Sequence, residues 1–196
     1  MTRRMEMRAG LPILDFADLA AWEEWLASQP EDAAGLWLKL AKKGNAASAL
    51  TKAQAIDGAL CHGWIDGQID SYDDRWFLTR FTPRTARSKW SEKNRKRAEQ
   101  LIAEGRVSGA GRARIDAAKA DGRWDAAYAP AATASEPADL RAALDAEPNA
   151  RTFFDTLTGA NRYAILYRVQ TAKKPATRAA RIATFVAMCA AGETLH

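Results

Sequence analysis

Hydrophobic periodicity changes along this chain, and the change constrains its fold more than any other feature. Over residues 35–41 apolar side chains alternate, with Leu36, Leu38 and Leu40 on one side and Trp37 and Lys39 on the other. That period of two predicts a strand. Residues 64–69 and 75–81 read the same way, joined by the polar turn Asp70-Ser71-Tyr72-Asp73-Asp74. In the later strand Trp76 and Leu78 face one way while Phe77, Thr79 and Phe81 face the other.

Elsewhere the apolar spacing is helical. Asp15 is placed to cap a helix carrying Phe16, Leu19, Trp22 and Leu26, which ends before Pro30. A turn is expected over 42–45. Thr51 with Gln54 three residues later forms a capping box that opens a helix running to about His62, with Gly63 as its stop. A basic helix is expected from Ser88 or Ser91 to Glu104, closed by Gly105, and another over 109–121. The Ala/Pro/Ser/Thr stretch 128–137 (YAPAATASEP) reads as a linker. Helical patterns follow over 138–145, 150–157 and 161–169, and a last one begins near Thr177. The fold class is therefore α+β: a small antiparallel sheet packed with helices, followed by a C-terminal helical layer. Residues 1–127 are expected to form the α+β domain and 138–196 the helical region.

The chain's 196 residues, 47% hydrophobic and 27% charged, fit one globular domain with a helical extension. Cys61 and Cys189 are too few for a disulfide framework and lack metal-ligand spacing, so a reduced setting without metal or cofactor is expected. No apolar run of signal-peptide length follows the basic N-terminus before Asp15 and Asp18, and no stretch approaches a transmembrane helix. These observations predict a cytoplasmic protein without membrane insertion. Between Arg75 and Arg114 stand 12 Lys/Arg against 3 Asp/Glu, net +9, while the remainder is net −4. Such an excess attracts anions.

Residues 61–94, CHGWIDGQIDSYDDRWFLTRFTPRTARSKWSEKN, concentrate the chemistry. A ligand pocket is expected from Trp64, Asp66, Asp70, Arg80, Phe81, Arg84, Ser88 and Trp90: rings supply area and a few charges orient a small or anionic ligand. Asp66 and Asp70 are spaced to share a strand face, and two nearby carboxylates can divide acid and base roles. An enzyme with Asp66 or Asp70 as base and Arg80 or Arg84 as electrostatic stabiliser is thus an alternative to a binding protein. The plainer alternative is that these aspartates hold turns and pair with Arg75, Arg80 or Arg84. A third reading is weak nucleic-acid binding by the basic segment, against which stand the interleaved Glu92, Glu99 and Glu104. Cys61 and His62 are adjacent on a helix and point about 100° apart, so they make no dyad. The other histidine, His196, is terminal.

The segments ALCHGWIDG (59–67), RFTPRTARSKWSEKN (80–94), RAEQLIAEGRV (97–107), DGRW (121–124) and TRAARIATFVAMCAAGE (177–193) resemble the YdeI/OmpD-associated proteins, also called bacteriocin-protection proteins. The resemblance implies a bacterial stress-tolerance protein, protective against bacteriocins and antimicrobial peptides. It brings no enzymatic activity with it. It also implies contact with an envelope protein, whereas the chain itself shows no export signal.

Overall fold

The computed structural model describes residues 6–44 and 50–195. Asn45, at the end of the expected turn, and His196 lie outside the described residues. The fold is α+β, and the chain divides into two compact units. The first comprises Met1–Lys89 and Asn94–Asp125, and the second Trp90–Lys93 and Ala126–His196.

The first unit is built on five strands, β1 (Met7–Arg8), β2 (Leu11–Leu14), β3 (Leu36–Ala41), β4 (Trp64–Ser71) and β5 (Trp76–Pro83), in the order β1-β2-β3-β5-β4. The sheet is mixed rather than wholly antiparallel, because β2 pairs parallel to β3. Sequence periodicity passed over the hairpin β1–β2. Its strands are too short to alternate visibly, and its loop is Ala9-Gly10, both at positive φ (48° and 78°). A two-residue loop with two positive φ values matches the twist of a hairpin, at some strain for the alanine.

Helix α1 (Leu19–Ala27) joins β2 to β3. Its cap is Asp18, not Asp15: the Asp18 carboxylate accepts from the Ala21 N–H at 2.9 Å. The chain remains a strand to Leu14, so the helix starts later than the pattern suggested. Helix α2 (Lys52–Cys61) opens on the expected Thr51/Gln54 capping box. Directly paired residues of neighbouring strands point to the same face. The register therefore puts Leu36, Leu38, Leu40, Phe77 and Phe81 on the face where α1 and α2 bury Trp22, Leu26, Ala55 and Ala59. Trp37 and Leu78 form a smaller cluster on the other face with Leu11, Ile13 and Tyr72. The two faces of β5 are those that its alternation predicted. Trp22 is fully buried, its indole N–H donating to the Ala55 carbonyl at 3.0 Å. Burying such a side chain stabilises by roughly 1.5–3 kcal/mol.

Helices α3 (Glu92–Ala103) and α4 (Gly109–Ala120) follow. Of the two expected starts, Ser88 and Ser91, the α3 helix takes the later, beginning directly after Ser91, which also bridges to Tyr128. Ser108 caps α4 and also donates to the Cys61 carbonyl at 2.8 Å, tying α4 to the end of α2. Gly111 makes that approach possible: a Cβ there would lie 2.1 Å from the Cys61 oxygen.

The second unit packs α5 (Ala138–Asp145), α6 (Pro148–Thr156), α7 (Gly159–Gln170) and α8 (Pro175–Ala190) around Leu140, Leu144, Phe154, Ile165, Val169 and Phe185. Residues 128–137, expected as a linker, make specific contacts within this unit. Glu136, with a side chain only 11% exposed, pairs with Arg151 at 2.6 Å and Arg162 at 3.5 Å. Ala134 packs against the helical core.

Candidate functional site

The first unit contains a cleft of about 280 Å³, lined by the end of α1 with Gln29, Pro30 and Glu31, by His62, Gly63, Trp64 and Pro83, and by Ser108, Ala110 and Arg114 of α4. Three local features place these walls. His62 is the C-cap of α2, Gly63 takes a φ of +77° that turns the chain into β4, and the Gly111 contact brings α4 alongside. Glycine at such a turn avoids the Cβ penalty of the left-handed region.

The electrostatics of the cleft are simple. Burial pushes the His62 imidazole below its usual value of 6.5, against a smaller opposite pull from Glu23, so it is neutral near pH 7 and offers one donor and one acceptor. Arg114 is the cation of the cleft. Its partner, Glu31, lies 3.2 Å away with a side chain 86% exposed. A counter-ion that exposed holds the arginine weakly, and an incoming anion can take its place. Trp64 is 4% exposed and packs edge-on against Trp25 at 5.5 Å, so it presents a fixed aromatic wall. Cys61, just outside the lining, is buried and its thiol is pushed up to about 11 by that burial. Such a thiol is inert as a nucleophile.

Of the residues singled out from sequence, only Trp64 lines this cleft. Phe81 is fully buried in the core beside Trp22. Arg84, 2% exposed, donates to the carbonyls of Trp64 at 3.2 Å and Lys89 at 3.1 Å, so its guanidinium braces backbone. The Ser88 hydroxyl accepts from the Thr85 N–H at 3.0 Å in a local turn. Arg123, which sequence reading did not single out, clasps the same loop through the carbonyls of Thr85 and Ser88. Trp90 is buried in the second unit, where its backbone carbonyl accepts from Tyr128 at 3.0 Å.

The sheet separates the remaining charged residues. Between Asp66 and Ile69 strand β4 advances three residues while β5 advances two, from Phe81 to Thr79. This bulge reverses the parity of β4, so Asp66 shares a face with Phe81 whereas Asp70, opposite Leu78, lies on the other. The shared face expected for the two carboxylates is therefore not formed. Asp70 is ion-paired with Arg8 of β1, and Asp73 accepts from the N–H groups of Arg75 and Trp76 at 2.7 and 2.8 Å. Arg80 stands across from Trp37, on the face opposite Asp66, and neither the Asp66 nor the Arg80 side chain has an ion pair among the described residues.

Part of the basic excess of residues 75–114 is matched by folding. Arg97 pairs with Asp57 and Glu104, Arg106 with Glu23, Arg112 with Asp116 and Arg114 with Glu31. His62 was weighed from sequence only as a dyad partner of Cys61, and Arg114 was missed because it stands far along the chain from Trp64. The one signal was Gly111 inside a helical pattern: a mid-helix glycine costs stability unless another backbone must come close, as Cys61 does there.

A mixed-sheet α+β unit with a cleft of mixed polar and apolar lining, joined to a four-helix unit, is the class of protein that this geometry defines. The chain belongs to the family described as Domain of unknown function (DUF8412), whose model matches residues 14–114, a little over half of its length. Residues 133–192 match the model of the family described as Bacteriocin-protection, YdeI or OmpD-Associated. The second unit thus carries a domain of the bacteriocin-protection type, and the C-terminal motif at 177–193 falls within it up to Gly192. The motifs at 59–67, 80–94 and 97–107 fall in the first match instead. No curated protein and no solved structure matches the chain. No helix among the described residues is long and apolar enough to cross a membrane.

Proposed function

We propose that this chain is a stress-tolerance protein of the bacteriocin-protection type, acting in the cell interior, whose first unit binds a small organic anion in the cleft between α1 and α4. The observation that carries the reading is the convergence of Arg114, neutral His62 and the Trp64 wall on one cavity. A cation held by an exposed counter-ion suits a carboxylate or phosphate, an imidazole suits a neighbouring hydroxyl or carbonyl, and an indole suits a planar carbon skeleton. Because a bound anion favours the protonated imidazole, affinity should rise as pH falls below 6.5.

The test is a thermal-shift series with inorganic phosphate, acetate and benzoate on the wild type and Arg114→Ala. At least one anion should raise the wild-type Tm, and none should raise that of the variant. Equal responses from both proteins, or no response from either, would remove the cleft from consideration.

A further inference from the structure

The second unit has a groove of about 700 Å³ between α5 and α8, separate from the cleft of the first unit. Its floor is Ile182, Val186 and Ala143, and its long wall is the alanine face of α8. Ala176, Ala179, Ala183, Ala187 and Ala190 lie along that face at helical spacing, all exposed and uninterrupted by any charge. A helix of 16 residues, about 24 Å long, would ordinarily present polar side chains on its solvent side. Small side chains instead allow another helix to approach at the short end of the packing range, about 8 Å between axes.

The charge pattern identifies the occupant. Exposed Lys173 and Lys174 precede α8, and exposed Glu193 follows it. Reversing the helix about Ala183 carries Ala176 onto Ala190 and Ala179 onto Ala187, and sets the end that Lys173 precedes beside the end that Glu193 follows. The face is therefore complementary to itself in antiparallel orientation, which is the requirement of a two-fold interface. The groove supports the same orientation. Asp139 of α5, near the start of α8, is already taken by Arg178, whereas Glu147, which lines the groove together with Ala187 and Ala190, has no ion pair among the described residues. A second, antiparallel α8 would bring its Lys173 and Lys174 to that end, where Glu147 and Glu193 await a cation. Antiparallel helix dipoles add to the fit.

We infer that two copies of this chain associate through their α8 helices, antiparallel and centred on Ala183, each α8 lying in the α5–α8 groove of the other. The experiment is sedimentation equilibrium on the full chain over a range of concentrations. The wild type should approach twice the chain mass of 21.5 kDa. Ala183→Glu sets two carboxylates against each other on the axis and should sediment as a monomer, with an unchanged circular dichroism spectrum because the site is exposed. Lys173→Glu and Glu193→Lys should each weaken the dimer about tenfold. Mixed in equal amounts they should restore it, since the new carboxylate of one variant then faces the new ammonium of the other. A wild type that stays monomeric at every concentration overturns the inference. So does a dimer that tolerates Ala183→Glu, which would point to another surface, and so does a charge-swapped mixture that fails to recover.

Discussion

Arg84 of the first unit and Arg151 of the second are held in different ways. In the first, Arg84 is buried with its guanidinium on the carbonyls of Trp64 and Lys89. In the second, Arg151 lies against the carboxylates of Glu136 and Asp155. The consequence is thermodynamic. A cation on backbone carbonyls is insensitive to carboxylate titration, because its acceptors have no proton to gain. A cation on carboxylates loses its partner in acid. Arginines that look alike in sequence are therefore a permanent brace at position 84 and a pH-dependent one at position 151.

The largest expected effect lies on the permanent brace. Arg84→Ala leaves two carbonyls without a charged donor and opens a cavity, and should cost about 3 kcal/mol or more in urea unfolding. Arg84→Lys should recover little, because a single ammonium cannot reproduce the planar fork. Equal stability of Arg84→Lys and the wild type would mean that the brace is dispensable. Next in size is Gly111→Ala, whose Cβ would meet the Cys61 oxygen at 2.1 Å. The helices must part, at about 2 kcal/mol, and the cleft wall moves with α4.

On the carboxylate side, Glu136→Gln keeps shape and hydrogen bonding but removes the charge facing Arg151 and Arg162, for about 1 kcal/mol lost at neutral pH. The smallest effect is favourable. The Thr79 hydroxyl is buried without a hydrogen-bond partner among the described residues, so Thr79→Val should stabilise the first unit by about 1 kcal/mol or less.

Two groups, one in each unit, act in separate pH windows. Hydrogen bonding to Arg178 holds the Asp139 carboxyl below its usual value of 3.8, the folded state being the weaker proton binder. Its contribution is thus complete above that value and is lost as pH falls through the depressed folded value. His62 also has a lowered folded value, so the unfolded chain takes up its proton first as pH falls below 6.5, and stability begins to decline there. Acid should therefore act on the first unit through His62 in the histidine range, and on the second through Asp139 only at lower pH. Replacing His62 by Gln should remove only the earlier decline, as read by circular dichroism melts at successive pH values.

What sequence revealed was local. The Thr51/Gln54 box formed as read, because its partners are three residues apart. The two faces of β5 followed from its alternation, which burial enforces. What failed depended on distant backbone. One extra residue in β4, beside Gly67, carried Asp70 to the face opposite Asp66 and into the hands of Arg8, more than sixty positions away. Likewise the cleft draws on Gln29, His62 and Arg114, and no spacing rule joins positions so far apart. Arg84 was read as a ligand residue because exposure is the default for arginine, and nothing in its neighbours announces that two carbonyls enclose it.

The cleft carries the functional reading, and the histidine count makes it directly measurable. The chain has two histidines, so a proton–carbon correlation spectrum of the imidazole ε1 positions contains two signals, one of them from His62. Titration with phosphate and benzoate at pH 7 should move the His62 signal in a saturable manner, leave the His196 signal in place, and have no effect in Arg114→Ala. A His62 signal that stays still, or that moves equally in Arg114→Ala, would contradict the assignment of this cleft as an anion site.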